Sequence, residues 1–117
     1  MFCCFLPMTG AAQETNSPKT YPPPGKLVDV GGWRLHLNCT GKSRGNAPTV
    51  VLESGSGDFS FDWTLAQTEV ARFARVCSYD RAGRVWSDLG PRPRTMRQVA
   101  YELHTALLKS GTKGPYV

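Results

Sequence analysis

Thr49-Val50-Val51-Leu52-Glu53-Ser54-Gly55-Ser56-Gly57-Asp58 is the stretch on which the fold turns, because a continuous apolar run meets a glycine-rich turn. A strand with one wet face alternates polar and apolar residues; an unbroken run is the mark of a strand covered on both faces. Helices are therefore expected on either side of it.

The chain downstream supplies them. Trp63, Ala66, Val70 and Phe73 recur at helical spacing and predict a helix over residues 62–74. Residues 75–79 read as a second apolar strand, followed by a loop over residues 80–94. Thr95 and Gln98 then make a capping-box pattern, and Met96, Val99, Ala100, Leu103 and Leu107 form one apolar stripe. Gly111 stands where a helix end takes a left-handed residue. His104 lies at the margin of the stripe, where a ring tip reaching water is expected. Gly114-Pro115-Tyr116-Val117 begins another strand.

Upstream, residues 26–30 and 33–38 are short strand-like runs around Gly31-Gly32, a pair suited to the positive φ angles of a tight hairpin. Trp33, Leu35 and Leu37 share one face of the second run and Arg34, His36 and Asn38 the other, so His36 is read as a solvated strand residue. An antiparallel start followed by strand, helix, strand, helix places the chain in the α/β class. A mainly parallel sheet with an antiparallel edge and right-handed crossovers is expected.

At 117 residues, with 40% hydrophobic and 20% charged residues, there is room for one core. Residues 1–24 read as an apolar leader and a proline-rich linker, and residues 25–117 as the folded domain. The apolar start at residues 1–8 is too short to span a bilayer and is broken by Pro7, and it lacks the basic opening of a secretory signal. Acylation of Cys3 or Cys4 would need a second anchoring signal to hold. No stable membrane insertion is expected.

Fourteen Lys and Arg against nine Asp and Glu leave a charge of +5, and seven arginines against two aspartates within residues 72–97 account for all of it. A solvated basic face is the simplest reading, and no nucleic-acid motif accompanies it. Cys3, Cys4, Cys39 and Cys77 lack the paired spacing of a zinc site or a small disulfide framework. A reducing, cytoplasmic setting is the default expectation, with Cys39 and Cys77 as small buried hydrophobes. Neither a metal nor a cofactor is indicated.

The chemistry sits in two loops. In acyl-transfer hydrolysis negative charge builds on an oxygen, and rigid backbone N–H groups stabilise it where water is excluded. Gly55 and Gly57 are suited to shape such a turn, and the N–H of Ser56 to point into a cleft. Tyr79-Asp80-Arg81-Ala82-Gly83-Arg84-Val85-Trp86-Ser87-Asp88 follows the next strand, as a second loop at the carboxyl ends of an open sheet does.

From Tyr21 onward the chain resembles the amino-terminal part of the α/β-hydrolases. The resemblance rests on Val30-Gly31-Gly32-Trp33-Arg34-Leu35-His36, Leu52-Glu53-Ser54-Gly55, Phe61-Asp62-Trp63, Tyr79-Asp80-Arg81-Ala82-Gly83 and Trp86-Ser87-Asp88, in that order. It implies that Ser56 donates its N–H to the oxyanion with Gly55 and Gly57 shaping the turn. It also implies that Asp80, Arg81 and Gly83 support the neighbouring loop. The implied activity is serine-hydrolase-like cleavage of an ester or related acyl group in a small-molecule substrate.

The chain departs from the family in two places. Ser54-Gly55 replaces the common His-Gly at the oxyanion turn but keeps the backbone donor. Val85 stands where a second glycine is usual, and is strained if that position takes a positive φ. The nucleophile elbow, Gly-x-Ser-x-Gly between strand and helix, has one literal match, Gly41-Lys42-Ser43-Arg44-Gly45. That match joins two strands in a polar loop with no helix following, so it is read as a decoy. Nucleophile, acid and histidine are expected beyond Val117, and the chain alone is expected to be inactive. Two other readings stand beside this one: a binding module using the arginine-rich segment, and a truncated product with no independent function and poor solubility.

Overall fold

The computed structural model describes residues 21–117. The apolar leader, its secretory reading and the acylation of Cys3 or Cys4 concern residues 1–20, which lie outside the described residues. The elements are β1 (Lys26–Asp29), β2 (Arg34–Thr40), β3 (Val50–Leu52), a 3-10 turn (Ser60–Trp63), α1 (Thr64–Val70), β4 (Val76–Tyr79) and α2 (Met96–Lys109). Among the described residues no helix is long and apolar enough to cross a membrane.

The four strands lie in the order β1-β2-β4-β3. β1 pairs with β2 antiparallel, β2 with β4 antiparallel, and β3 with β4 parallel. The sheet is thus mixed rather than mainly parallel, because β2 runs against both neighbours. Thr49 bridges Tyr116 in parallel on the far side of β3, with Val51 N–H donating to the Val117 carbonyl at 2.7 Å. The outer edge of β3 is therefore already paired.

Between β1 and β2, Gly31 and Gly32 adopt φ of 134° and 108°, and both their N–H groups donate to Asp29 Oδ1 at 2.9 and 3.0 Å. Only glycine takes such angles without cost, so the hairpin expected from this pair is realised.

α2 covers one face of the sheet, where Val30, Leu35, Leu37, Cys77, Tyr79, Ala106 and Leu107 form the core. At its start half of the expected capping box forms: Thr95 Oγ1 accepts from Gln98 N–H at 3.2 Å, while the Gln98 side chain turns instead to Glu102. At the end Gly111, at φ 77°, donates to the Leu108 carbonyl while Thr112 N–H donates to that of Leu107, which is a Schellman closure. The stripe differs. Met96 and Ala100 are exposed, and Glu102 is buried in their place. His104 is exposed.

The opposite face is covered by the 3-10 turn and α1, which is shorter than the 62–74 helix expected from periodicity. Asp62 caps the 3-10 turn by accepting from Phe59 N–H, and the chain leaves α-geometry after Val70. Ala66 and Phe73 are exposed; the buried contact of α1 is Gln67, whose amide bridges the Asn38 carbonyl at 2.8 Å and the Ser78 hydroxyl at 2.6 Å. This interface is polar because the strand positions beneath it are Asn38, Thr40 and Ser78.

Cys39 and Cys77 were expected to be separate buried thiols. They face each other directly across β2 and β4 and are joined by a disulfide. Each was expected in or beside a strand, Cys39 just past the run at residues 33–38, but β2 extends to Thr40 and the pairing that makes the two cysteines neighbours spans 38 residues and has no local signature.

Candidate functional site

The two loops singled out in the sequence meet at the carboxyl ends of β3 and β4. After β3 the chain turns through Ser54-Gly55-Ser56-Gly57-Asp58, closed by Asp58 N–H donating to the Gly55 carbonyl at 3.1 Å. Ser54 is buried, and its Oγ accepts from Trp63 Nε1 at 3.0 Å, which ties the turn to the helix that follows. Ser56 and both glycines are exposed. Among the described residues no acceptor takes the Ser56 N–H.

The glycines behave differently from the sequence expectation. Neither Gly55 nor Gly57 takes a positive φ. A Cβ at Gly55 would meet Asp58 Oδ2 at 2.8 Å, whereas one at Gly57 would meet nothing within 4 Å. Gly55 is thus limited by a side chain and Gly57 by neither space nor backbone angle. Beside the turn lies a cavity of about 200 Å³ lined by Ser54, Gly55, Asp58, Asp62 and Trp63.

The second loop is fastened to the first by two arginines. Arg81 Nε donates to Glu53 Oε1 at 2.6 Å, and Arg84 Nη2 donates to the Ser56 carbonyl. Tyr79 donates its hydroxyl to the other oxygen of Glu53, and burial followed by that carboxylate pushes the phenol well above its ordinary pKa. Gly83 takes φ 82° and donates its N–H to the Asp88 carbonyl at 2.8 Å, so its lack of a Cβ is used. Val85 takes φ 32°, the positive angle that a β-branched residue resists.

Asp80 lies beneath this loop. Its Oδ1 accepts from Ser60 N–H at 2.7 Å and its Oδ2 lies 3.0 Å from His36 Nδ1, while its carbonyl accepts from Ser87 Oγ at 2.6 Å. Burial pushes its carboxyl up, but the hydrogen bonds from His36 and Ser60 outweigh it and hold the group below its ordinary range.

His36, expected on a solvated face, is completely buried. The face it shares with Asn38 is roofed by the 3-10 turn, by Trp86 at 5.0 Å between ring centroids, and by Gly25, whose N–H donates to His36 Nε2 at 3.0 Å. Since Nε2 accepts, Nδ1 carries the proton and donates to Asp80. Histidine, aspartate and two serines thus lie together without forming a proton-transfer relay: the nitrogen a substrate would need is occupied by backbone. The signal that could have located His36 is the β2–β4 register, in which Leu37 faces Tyr79, but that is a long-range pairing.

Sequence reasoning also missed Glu102. It is buried on α2 and accepts two bonds from Arg94 at 2.6 Å, one from Gln98 at 3.1 Å and one from Trp33 Nε1 at 3.1 Å. Five of the seven arginines of residues 72–97 make a hydrogen bond within the chain: Arg72 to Glu69, Arg75 to the Gly41 carbonyl, Arg81 to Glu53, Arg84 to the Ser56 carbonyl and Arg94 to Glu102. Ser43 lies in an exposed loop beside Arg75 and Lys113, at the other end of the sheet from residues 54–58 and 80–88. Among the described residues no group of His, Cys, Asp and Glu converges as a metal site.

This arrangement is the amino-terminal part of the α/β-hydrolase fold: a mixed sheet with helices on both faces and a glycine turn at the end of β3. The enol-lactonase of Burkholderia xenovorans LB400 superposes with a TM-score of 0.67 at 24% identity, covering 78% of this chain and 35% of that one. An α/β-hydrolase from Sphaerobacter thermophilus DSM 20745 gives 0.65 at 22% identity, covering 78% of this chain and 34% of that one. At these identities the likeness is one of fold. Among curated proteins, the probable transporter efuK of Hormonema carpetanum is 34% identical over 94 residues, which are 78% of this chain and 14% of that protein. The chain thus spans about a third of the solved structures it matches and a smaller share of this curated relative. No protein-family model matches it.

Proposed function

We propose that these residues form the oxyanion side of an acyl-hydrolase site, with Ser56 offering its backbone N–H to the developing oxyanion. The observation that carries this reading is the N–H of the exposed residue Ser56 just past β3, which no acceptor takes among the described residues, on a turn held from below by Trp63 and from the side by Arg84. Asp80, Arg81 and Gly83 keep the second loop in place; they transfer no proton. A lactone-cleaving enzyme among the solved structures of like fold makes ester or lactone cleavage in a small molecule the class of reaction that fits best. The described residues supply no activated nucleophile, because the buried histidine has both ring nitrogens engaged and His104 is exposed on α2. A nucleophile, an acid and a histidine from outside residues 21–117 complete the site in this reading, and the 117-residue chain alone turns over no ester.

The test is the full product of the transcript that encodes these residues, assayed on an activated ester. Ser56→Pro, which deletes the N–H, is expected to lower kcat by about 10²–10³-fold, while Ser56→Ala, which keeps it, leaves kcat near its original value. A folded Ser56→Pro variant with unchanged kcat sinks the proposal. So does labelling of a serine within residues 21–117 by a fluorophosphonate.

A further inference from the structure

At the end of the sheet opposite the candidate site, a groove of about 610 Å³ opens between the loop after β2 and the turn after α2. Lys42, Arg75 and Lys113 line it, together with Ser43, Asn46 and Thr112, and no carboxylate does. None of the three cations pairs with an acidic side chain among the described residues. Like charges gathered on one concave surface repel each other and focus a positive potential there, which a bound anion relieves.

Helix ends are the competing explanation, since cations favour the carbonyls at a helix C-terminus. It accounts for little here. In the last turn of α2 the carbonyls of Ala106, Leu107 and Leu108 already accept from Ser110, Thr112 and Gly111 N–H groups. Arg75 spends one N–H on the Gly41 carbonyl at 3.1 Å, which fixes the loop, and its guanidinium has further donors to offer. Gly41 itself is held at φ 74° with no room for a side chain, since a Cβ would lie 2.0 Å from the Ala74 carbonyl oxygen. The wall of the groove is therefore shaped by backbone packing and lined by donors, the hydroxyl of exposed Ser43 among them, while the buried Thr112 hydroxyl is turned to Ser110 Oγ at 3.0 Å.

We infer that this groove binds a phosphate-bearing ligand of at least two negative charges, held by Lys42, Arg75 and Lys113. The phosphate belongs either to a soluble phosphorylated molecule or to a lipid headgroup at a membrane surface; the chemistry of recognition is the same. The inference is independent of the acyl-hydrolase reading, since it concerns the other end of the sheet.

The experiment uses the full 117-residue chain. Inorganic pyrophosphate is titrated by calorimetry at low ionic strength, and sedimentation is measured with phosphatidylcholine vesicles with and without phosphatidic acid. Three forms are compared: the unaltered chain, Lys42→Gln with Lys113→Gln, and Arg92→Gln with Arg97→Gln as a charge-matched control elsewhere. All four residues are exposed, and circular dichroism confirms that the variants keep the fold. Charge-assisted hydrogen bonds of this kind lead us to expect about tenfold weaker binding for the lysine pair and little change for the arginine pair. Pyrophosphate binding with that dependence supports a soluble ligand; vesicle binding with the same dependence, without pyrophosphate binding, supports a headgroup. Equal weakening by both pairs means a diffuse charge effect and overturns the inference, as does absence of binding in both arms.

Discussion

His36 Nδ1 and Asp80 Oδ2 lie 3.0 Å apart with neither side chain reaching solvent, and they join the second strand to the loop after the fourth. Each has a further backbone partner, Gly25 N–H for the imidazole and Ser60 N–H for the carboxylate. The pair therefore holds four chain segments at one point. A buried hydrogen bond to a charged group is worth more than a neutral one, and removing one member leaves the other unsatisfied. Asp80→Ala is expected to lower the unfolding free energy by roughly 2–4 kcal/mol, and Asp80→Asn by less, because the amide oxygen still accepts one of the two bonds. Urea denaturation of the three forms checks this; equal midpoints for Asp80→Ala and the unaltered chain would show that the pair is marginal.

Acid should act through the same carboxylate. Asp80 and Glu102 are both held below their ordinary pKa: burial raises each, but His36 and Ser60 outweigh it at Asp80, and Arg94, Gln98 and Trp33 at Glu102. A group with a depressed folded pKa binds protons more readily when unfolded, so its contribution is complete above its unfolded pKa and fades as pH falls through the folded one. Stability is thus expected to hold from neutrality down to about pH 4 and to decline below it, given ordinary carboxylate values near 4. Urea midpoints measured across that range give the slope. Asp80→Asn combined with Glu102→Gln should flatten it, and an unchanged slope in that double variant would assign the acid sensitivity to other groups.

Val85 carries strain that the sequence announced. Its φ of 32° costs an L-residue about 1–2 kcal/mol, while glycine at the same place costs roughly 0.5–1 kcal/mol in unfolded-chain entropy. Since Val85 is exposed, little packing is lost on removing its side chain. Val85→Gly is therefore expected to raise stability by up to about 1 kcal/mol. A drop in the melting temperature would mean that Val85 makes a contact worth more than its strain.

What the sequence disclosed and what it hid divide by range. The cap at Thr95, the closure at Gly111, the Gly31-Gly32 hairpin and the strain at Val85 are local: each depends on backbone angles that a few neighbouring side chains decide. The meeting of the Ser54-Gly55-Ser56-Gly57 turn with the Asp80-Arg81 loop was legible because strand, turn and spacing together place both at one sheet edge. His36 and the bond between Cys39 and Cys77 were illegible because each is decided by which strands lie side by side, and partners 44 and 38 residues away leave no periodic trace. Glu102 differs: Gln98 and Arg94 are local partners, and what the sequence hides is the docking of α2 on Trp33, 69 residues away. α1 was misjudged differently. Its apolar residues have helical spacing, but the strand face beneath it is polar, so Gln67 rather than Ala66 or Phe73 turns inward.

The Cys39–Cys77 bond gives the last prediction, since it crosses the two central strands whose pairing organises everything else. A crosslink closing a loop of 38 residues removes conformational freedom from the unfolded chain, worth roughly 2–4 kcal/mol for loops of this order. Cys77 is fully buried and Cys39 is half-buried beside Thr112, so the bond sits within packed structure and not at a frayed edge. Cys39→Ser with Cys77→Ser should accordingly lower the urea midpoint without moving strand content in circular dichroism. Treatment of the unaltered chain with a dithiol reductant should reproduce the loss. Thiol titration under denaturing conditions, before and after reduction, separates these cysteines from Cys3 and Cys4 when the latter are replaced by serine. If Cys39 and Cys77 titrate as free thiols before reduction, the two strands are held by hydrogen bonding and packing alone, and the reductant should leave the midpoint where it was.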